Sequence, residues 1–408
     1  MNSFIFFCFL FLFLISITKS IPTIEVKSPD HFEIGKQIGL AMKERIYKYF
    51  EESAVLNYVL IPWFENHLEE YTQFYDANYL KYPHYMDELR GLASGADVSF
   101  HKVFLLTLSL EISLLVQSET GKTVINYVNP FPQPELEACS DVLINDQKVI
   151  LGHNEDANIN ITDTSAFVFV NQTGTTSNEA NNYFTFMYPG SLWGIAYGFN
   201  DHNLMFSMNA VFPKCVQIGG HARSFIARDT LTSTSFDEMI SKIKNSSIAS
   251  GFSLNVLDGN TKKIYNIEAA SSYCQNTTFD PFLKSNNDDP NYTLMNVLEV
   301  TQNNYSEHFN MFLRLNVSQY TDESSVHRLK RAEEIGSPLN NPNLAQGIVD
   351  ILGDTQDTQW PIYRDAIPPD SAKTITTSIF DWDQKTLSIY DNNPKINFDN
   401  PYKVFQLY

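Results

Sequence analysis

Three observations predict an α+β fold. Residues 21–118 carry apolar side chains at helical spacing. From residue 139 the period shortens to two, with turn residues between the apolar runs. These strand-like runs follow one another with a single clear helical interruption, which fits antiparallel layers with helices set apart rather than alternating βαβ units. The 408 residues are 43% hydrophobic, enough to bury a sizeable core, and 13% aromatic, which argues against disorder.

Residues 1–20, "MNSFIFFCFLFLFLISITKS", read as a secretory signal peptide. The apolar run of about a dozen residues is short for a membrane span, which needs roughly 20. A retained anchor is the alternative. No later segment approaches a span, so no stable membrane insertion is expected. "FEIGKQIGLAMKERIYKYFEE" (32–52) and "LKYPHYMDELRGLASGA" (80–96) have helical periodicity. "SFHKVFLLTLSLEISLL" (99–115) is apolar nearly all round, which predicts one buried helix capped by Ser99. Residues 119–138 hold three prolines and predict a loop and the main boundary of the chain. The division is therefore a leader (1–20), a mostly helical segment (21–138) and a β-rich segment (139–408), the last two sharing one globular fold. Within the β-rich part, 224–245 predicts a helix broken near Thr232–Ser235, and 374–393 predicts a closing hairpin.

Charge narrows the partners. Lys+Arg number 28 against 47 Asp+Glu, a formal charge of −19. Nucleic acid and anionic membrane surfaces both require basic patches, so neither is expected as a partner. Loss of the leader removes Cys8 and leaves Cys139, Cys215 and Cys274. An odd number in an oxidising compartment leaves one thiol or an intermolecular bridge. Of three possible pairings, the simplest joins Cys215 to Cys274. Seven glycosylation sequons, at Asn160, Asn171, Asn245, Asn276, Asn291, Asn304 and Asn316, agree with a secreted or lysosomal location.

The stretch with most chemical content is "CSDVLINDQKVILGHNEDAN", from Cys139 to Asn158. With Asn145–Lys148 as the turn of a hairpin, Cys139 faces Asn154. Cys139 and Asp156 then share a face as diagonal neighbours, roughly 7–8 Å apart. A thiol needs a base or a positive charge to become a nucleophile at neutral pH. A cut before Cys139 would create an α-amino group, with a pKa near 7.7–8.0, able to serve as base for its own thiol. Asp156 would orient that amine. The competing reading makes Cys139 an inert, half-buried strand residue. On the same register His153 points away from Cys139, and no second histidine stands at ligand spacing, so no metal is expected. Asp141 reads as a solvated strand carboxylate. Asn209, in "SMNAV", is either an oxyanion donor or an ordinary strand amide.

Four segments, in order, resemble one family. They are "FEIGKQIGLAMKERI", "YMDELRGLASGADVSFHKVFLLTLSLEI", "ACSDVLINDQKVILGHNEDA" and "YGFNDHNLMFSMNAV". They are similar to the acyl-CoA:6-aminopenicillanic acid acyltransferase family of self-processing cysteine hydrolases. The resemblance implies an αββα sandwich of the N-terminal nucleophile hydrolase type and a self-made cut before Cys139. It implies Cys139 as nucleophile, Asp156 as its carboxylate partner, Ser250 as a site serine and Asn296 as an oxyanion donor. Four features depart from the family pattern. Ala138 replaces Gly and Ser140 replaces Thr. No histidine flanks Asn296, where Leu294 and Val297 stand. A late Ser-Arg-Gly element has no counterpart in "PDSAKTITT". The implied activity is hydrolysis of a small N-acyl amine through a thioester on Cys139, with no cofactor. A lipid amidase of the ceramide or N-acylethanolamine kind, an acyltransferase, and a non-catalytic secreted glycoprotein that keeps the fold stay open.

Overall fold

The computed structural model describes residues 20–121, 138–172, 182–274, 293–368 and 370–408. The leader up to residue 19, most of the proline-rich boundary, and the Asn276 and Asn291 sequons lie outside these. Asp30 opens helix α1 (His31–Glu52) by accepting the Glu33 N–H. The stripe Ile34, Ile38, Met42 and Ile46 is fully buried. α2 (Ile61–Asn66) and α3 (Leu68–Lys81) follow, and α1 packs along α4 (Pro83–Ala96). Glycines permit this approach. A β-carbon on Gly35 or Gly39 would collide with the carbonyl oxygen of Glu88 or Leu92, and one on Gly91 with that of Phe32. The two helical segments that carry the family resemblance are thus pressed backbone to backbone.

The single helix expected over 99–115 is two. α5 (Phe100–Thr107) and α6 (Ser109–Thr120) meet at a 72° bend. The bend has a local cause. The Thr107 carbonyl accepts the Ser224 hydroxyl, and the Thr107 hydroxyl donates back to Val103 O while accepting the Leu192 N–H. Side chains and a docking loop satisfy groups that a continuous helix would have used. Ser99 occupies the cap position without a side-chain bond. Among the described residues no single helix is long and apolar enough to cross a membrane.

Two sheets follow. The larger holds β1 (Thr23–Lys27), β4 (Ala166–Asn171), β5 (Asn182–Met187), β6 (Tyr197–Asn200), β7 (Leu204–Ala210), β8 (Gly251–Asp258), β9 (Lys263–Ser271) and β10 (Thr293–Val300), in that order. Only the β1–β4 pair is parallel. The smaller runs β11 (Asn304–His308), β2 (Ala138–Asn145), β3 (Val149–Asn158), β12 (Ala372–Asp381), β13 (Thr386–Tyr390) and β14 (Lys403–Gln406). The inner faces meet where Cys139 and Asp141 touch β7.

Helices α7 (Arg223–Thr230) and α8 (Phe236–Lys244), split as the sequence predicts, lie on the side of the larger sheet with α4. Buried Arg228 clamps Glu88 of α4 there through two bonds of 2.8 and 2.6 Å. Outside the smaller sheet lie α9 (Glu323–Ile335) and α10 (Leu344–Leu352), the latter so close that Gly152 of β3 has no room for a β-carbon beside Ile348. The layers are therefore α, β, β, α, and the fold is the α+β sandwich expected. Cys215 and Cys274 are disulfide-bonded, with Cα atoms 5.5 Å apart, and Cys139 is in no disulfide. Of the described sequons, Asn171, Asn245, Asn304 and Asn316 are exposed and Asn160 is half-buried.

Candidate active site

The hairpin that carries Cys139 forms, but its register differs by one residue from the expected one. Asn145 pairs with Val149, and Asp146–Lys148 make a three-residue turn closed by the Asp146 N–H on Lys148 O. Cys139 consequently pairs with Glu155, and Ala138 with Asp156. Because side chains alternate faces, the slip moves Asp156 to the face opposite Cys139. The two are not diagonal neighbours. His153, expected to point away, shares the Cys139 face with Asp141 and Glu155.

This inner face is buried and charged. Cys139 is 2% exposed, and its Sγ donates to Met208 O at 3.6 Å. His153 is completely buried between two carboxylates. Its Nδ1 is 2.8 Å from Asp141 Oδ1 and its Nε2 is 3.0 Å from Glu155 Oε2. Burial disfavours the imidazolium, but Asp141 and Glu155 outweigh it and hold the His153 pKa at about 10. Glu155 also accepts the Tyr188 hydroxyl. Asp141 is fully buried rather than solvated. It accepts from Ser207 Oγ and Asn209 Nδ2, both at 2.5 Å.

From Asn209 a chain of amides crosses the larger sheet. Asn255 donates to Asn209 Oδ1 at 3.1 Å, and Asn266 donates to Asn255 Oδ1 at 2.6 Å. Arg314 then donates to Asn266 Oδ1 and to Asn296 Oδ1. Asn296, on edge strand β10, is thus the far end of this chain and does not stand at Cys139. Ser250 is also elsewhere, donating to Glu111 at 2.8 Å.

The residue beside Cys139 is Asn310. Strand β11 pairs with β2 so that His308 lies opposite Asp141, and two residues further Asn310 comes level with Cys139. The Cys139 N–H donates to Asn310 Oδ1 at 2.9 Å, and Asn310 Nδ2 donates to Ala210 O at 2.9 Å. Arg328 of α9, fully buried, completes the frame. Its Nη1 donates to Cys139 O at 2.6 Å and Ser140 Oγ at 3.0 Å, and its Nη2 donates to Asn310 Oδ1 at 2.8 Å. Asp156 lies on the other side of the same guanidinium. Its Oδ1 accepts Thr374 Oγ1 at 2.7 Å, and its Oδ2 is 4.0 Å from Arg328 Nη1. Burial raises the Asp156 pKa to about 6 against the pull of Arg364 and Arg328.

Neither Asn310 nor Arg328 was singled out from the sequence. The histidine sought beside Asn296 offers the missed signal, since His308 stands two residues before Asn310. No comparable signal marks Arg328, which helix packing brings to a residue 189 positions away. Near the far end of β3, a small cleft is lined by Tyr49, Leu106, Ala157, Ile161, Tyr188 and Ser191. Tyr188 connects it to Glu155. One ligand atom each from Cys139, His153 and Glu155 all lie within 4.8 Å of one another.

Comparison with known proteins gives three kinds of match. The family model for acyl-coenzyme A:6-aminopenicillanic acid acyl-transferase matches residues 143–396, more than half of the chain and beginning just past Cys139. The beta-alanyl-dopamine/carcinine hydrolase of Drosophila melanogaster is 26% identical over 377 residues, 89% of this chain and 91% of that protein. Two solved structures are looser matches. A mutant of the conjugated bile acid hydrolase from Clostridium perfringens has a TM-score of 0.38 and 11% identity, over 66% of this chain and 92% of that one. Penicillin V acylase from Agrobacterium tumefaciens has a TM-score of 0.35 and 12% identity, over 62% and 82%.

Proposed function

Because the chain belongs to the acyl-coenzyme A:6-aminopenicillanic acid acyl-transferase family, we propose that it is an amide hydrolase that matures by cutting itself before Cys139. The observation that carries this reading is the pair of contacts on the Cys139 backbone, N–H to Asn310 Oδ1 and carbonyl to Arg328. They fix the one peptide nitrogen that a cut would turn into an α-amine, with the thiol of the same residue on the inner face.

In the self-cutting step Cys139 Sγ attacks the Ala138 carbonyl carbon and the Ala138–Cys139 C–N bond breaks. The thiol proton ends on the new amine. Water then hydrolyses the thioester, leaving an Ala138 carboxylate and the Cys139 thiol. In turnover the α-amine, still held by Asn310, takes the thiol proton while Sγ attacks the substrate carbonyl. The proton passes to the departing amine, and water releases the acid from the thioester. Arg328 favours the thiolate by its charge and holds the residue that bears it. Asp156, across the guanidinium, orients both. Asn209, next to the residue whose carbonyl accepts the thiol, is the amide assigned to the developing oxyanion. No step needs a cofactor.

The substrate class proposed is a small N-acyl amine, supported by the relative whose name specifies beta-alanyl-dopamine and carcinine. A secreted or lysosomal location is proposed with it, supported by the Cys215–Cys274 bridge and the four exposed sequons. The test has two parts. N-terminal sequencing of the mature protein should find a chain beginning Cys139-Ser140-Asp141. Beta-alanyl-dopamine should be hydrolysed by the wild type and not by Cys139→Ala, which should stay one piece. An active, processed Cys139→Ala protein would end the proposal.

A further inference from the structure

We propose that Cys139, His153 and Glu155 form a binding site for a transition-metal dication of the zinc type. The donor set is a thiolate, a neutral imidazole and a carboxylate, so binding releases the Cys139 thiol proton and the His153 Nε2 proton to solvent, and zinc accepts these three with a fourth position left open. The ligand atoms lie within 4.8 Å of one another, and all three residues are buried. Two ligands on a tetrahedral zinc, at bonds of about 2.0–2.3 Å, stand roughly 3.3–3.7 Å apart. His153 Nε2 and Glu155 Oε2 are already 3.0 Å apart, so a metal between them requires a shift of a few tenths of an ångström.

The surroundings are those of a supported metal site. A ligating histidine ordinarily gives its other ring nitrogen to a carboxylate, which fixes its orientation and basicity. Here His153 Nδ1 is on Asp141 Oδ1 at 2.8 Å, and Asp141 is itself held by Ser207 and Asn209. Glu155 is steadied by the Tyr188 hydroxyl. Two buried carboxylates and the Cys139 sulfur surround the His153 imidazole on this face, and Arg328 reaches Cys139 through its carbonyl.

Bound metal would cap the Cys139 sulfur. This consequence bears on the proposed amidase reading, but metal binding itself does not depend on it. Cobalt(II) is the probe, added to the purified full-length protein. One equivalent should give a thiolate-to-cobalt charge-transfer band that zinc displaces. Cys139→Ser should abolish the band. Asp141→Asn, which leaves the three ligands in place, should weaken binding about 10–100-fold. Glu155→Gln should also weaken binding, and serves as a second variant should Asp141→Asn melt early. Zinc should slow alkylation of Cys139 as read by peptide mapping, with or without any amidase activity. Absence of the band, an equal band in Cys139→Ser, or alkylation indifferent to zinc would each overturn the site.

Discussion

The Cys139 N–H donates to the side-chain oxygen of Asn310 at 2.9 Å, so an amide side chain takes the place of a strand carbonyl just beyond the end of β11. A backbone carbonyl could accept from Cys139 and Arg328 alike, but it carries no N–H with which to tie itself to Ala210 O, as the Asn310 amide does. Asn310→Ala should leave the buried Cys139 N–H and one Arg328 N–H without an acceptor, at a cost of about 1–3 kcal/mol. Thermal melting checks the cost, and the rate of cutting before Cys139 should fall at least about tenfold with it. A variant that melts and matures like the wild type would show that this bond holds nothing.

Arg328 reaches Ser324, Ser325, Cys139 O, Ser140 and Asn310 through one planar fork, which a lysine cannot reproduce. Arg328→Lys should keep a charge near Asp156 but lose part of the grip on Cys139 O, Ser140 and Asn310. Arg328→Met should remove both and cost about 3–5 kcal/mol, the range for breaking a buried charged pair from one side. Melting temperatures should therefore rank wild type, Lys, then Met. The same order is expected in the amount of protein recovered as two chains.

Gly35→Ala tests the contact between α1 and α4. Alanine is favoured over glycine inside a helix by about 1 kcal/mol, so propensity alone predicts stabilisation. The new β-carbon would meet the Glu88 backbone carbonyl, which cannot swing aside. We expect a net loss of about 1–3 kcal/mol in chemical denaturation. Any gain in stability would mean the helices part at little cost.

Glu307 gives a pH dependence. Burial, with a smaller push from Glu333, raises its pKa from 4.5 to about 7. The folded state then keeps a proton that the unfolded chain releases, so stability falls as pH climbs from the unfolded value to about 7. The loss should reach roughly 2–3 kcal/mol above that window and be absent below it. Glu307→Gln should flatten this part of the curve in melts taken from about pH 4 to about pH 8. An unchanged slope would place the titration elsewhere.

Periodicity made the helices of 32–52 and 80–96 and the strand runs after 139 legible, because burial on one face leaves its spacing in the chain. Turn length did not leave so clear a mark. Asn145-Asp146-Gln147-Lys148 serves either a three-residue or a four-residue turn, and the difference moved Asp156 to the other face of Cys139. Asn296 lies inside β10 and Asn310 just beyond β11, and only the pairing of β11 with β2 brings the second to Cys139. Arg328 was out of reach because its role comes from where α9 docks. Ser250 and Asn296 show the same limit from the other side, as their motif positions did not carry them to the thiol.

The amide chain across the larger sheet has a consequence for assembly. Asn209, Asn255 and Asn266 sit on three successive strands, each bonded to the next, with Asp141 at one end and Arg314 at the other. A strand displaced by one residue would turn its asparagine to the opposite side and leave amides on its neighbours buried and unmatched, at about 1–3 kcal/mol each. Apolar side chains tolerate such slippage more readily, since one fits much as another does. The row thus works as a checksum on strand alignment: it adds up only when every strand is in place, and the thiol is seated by the same count.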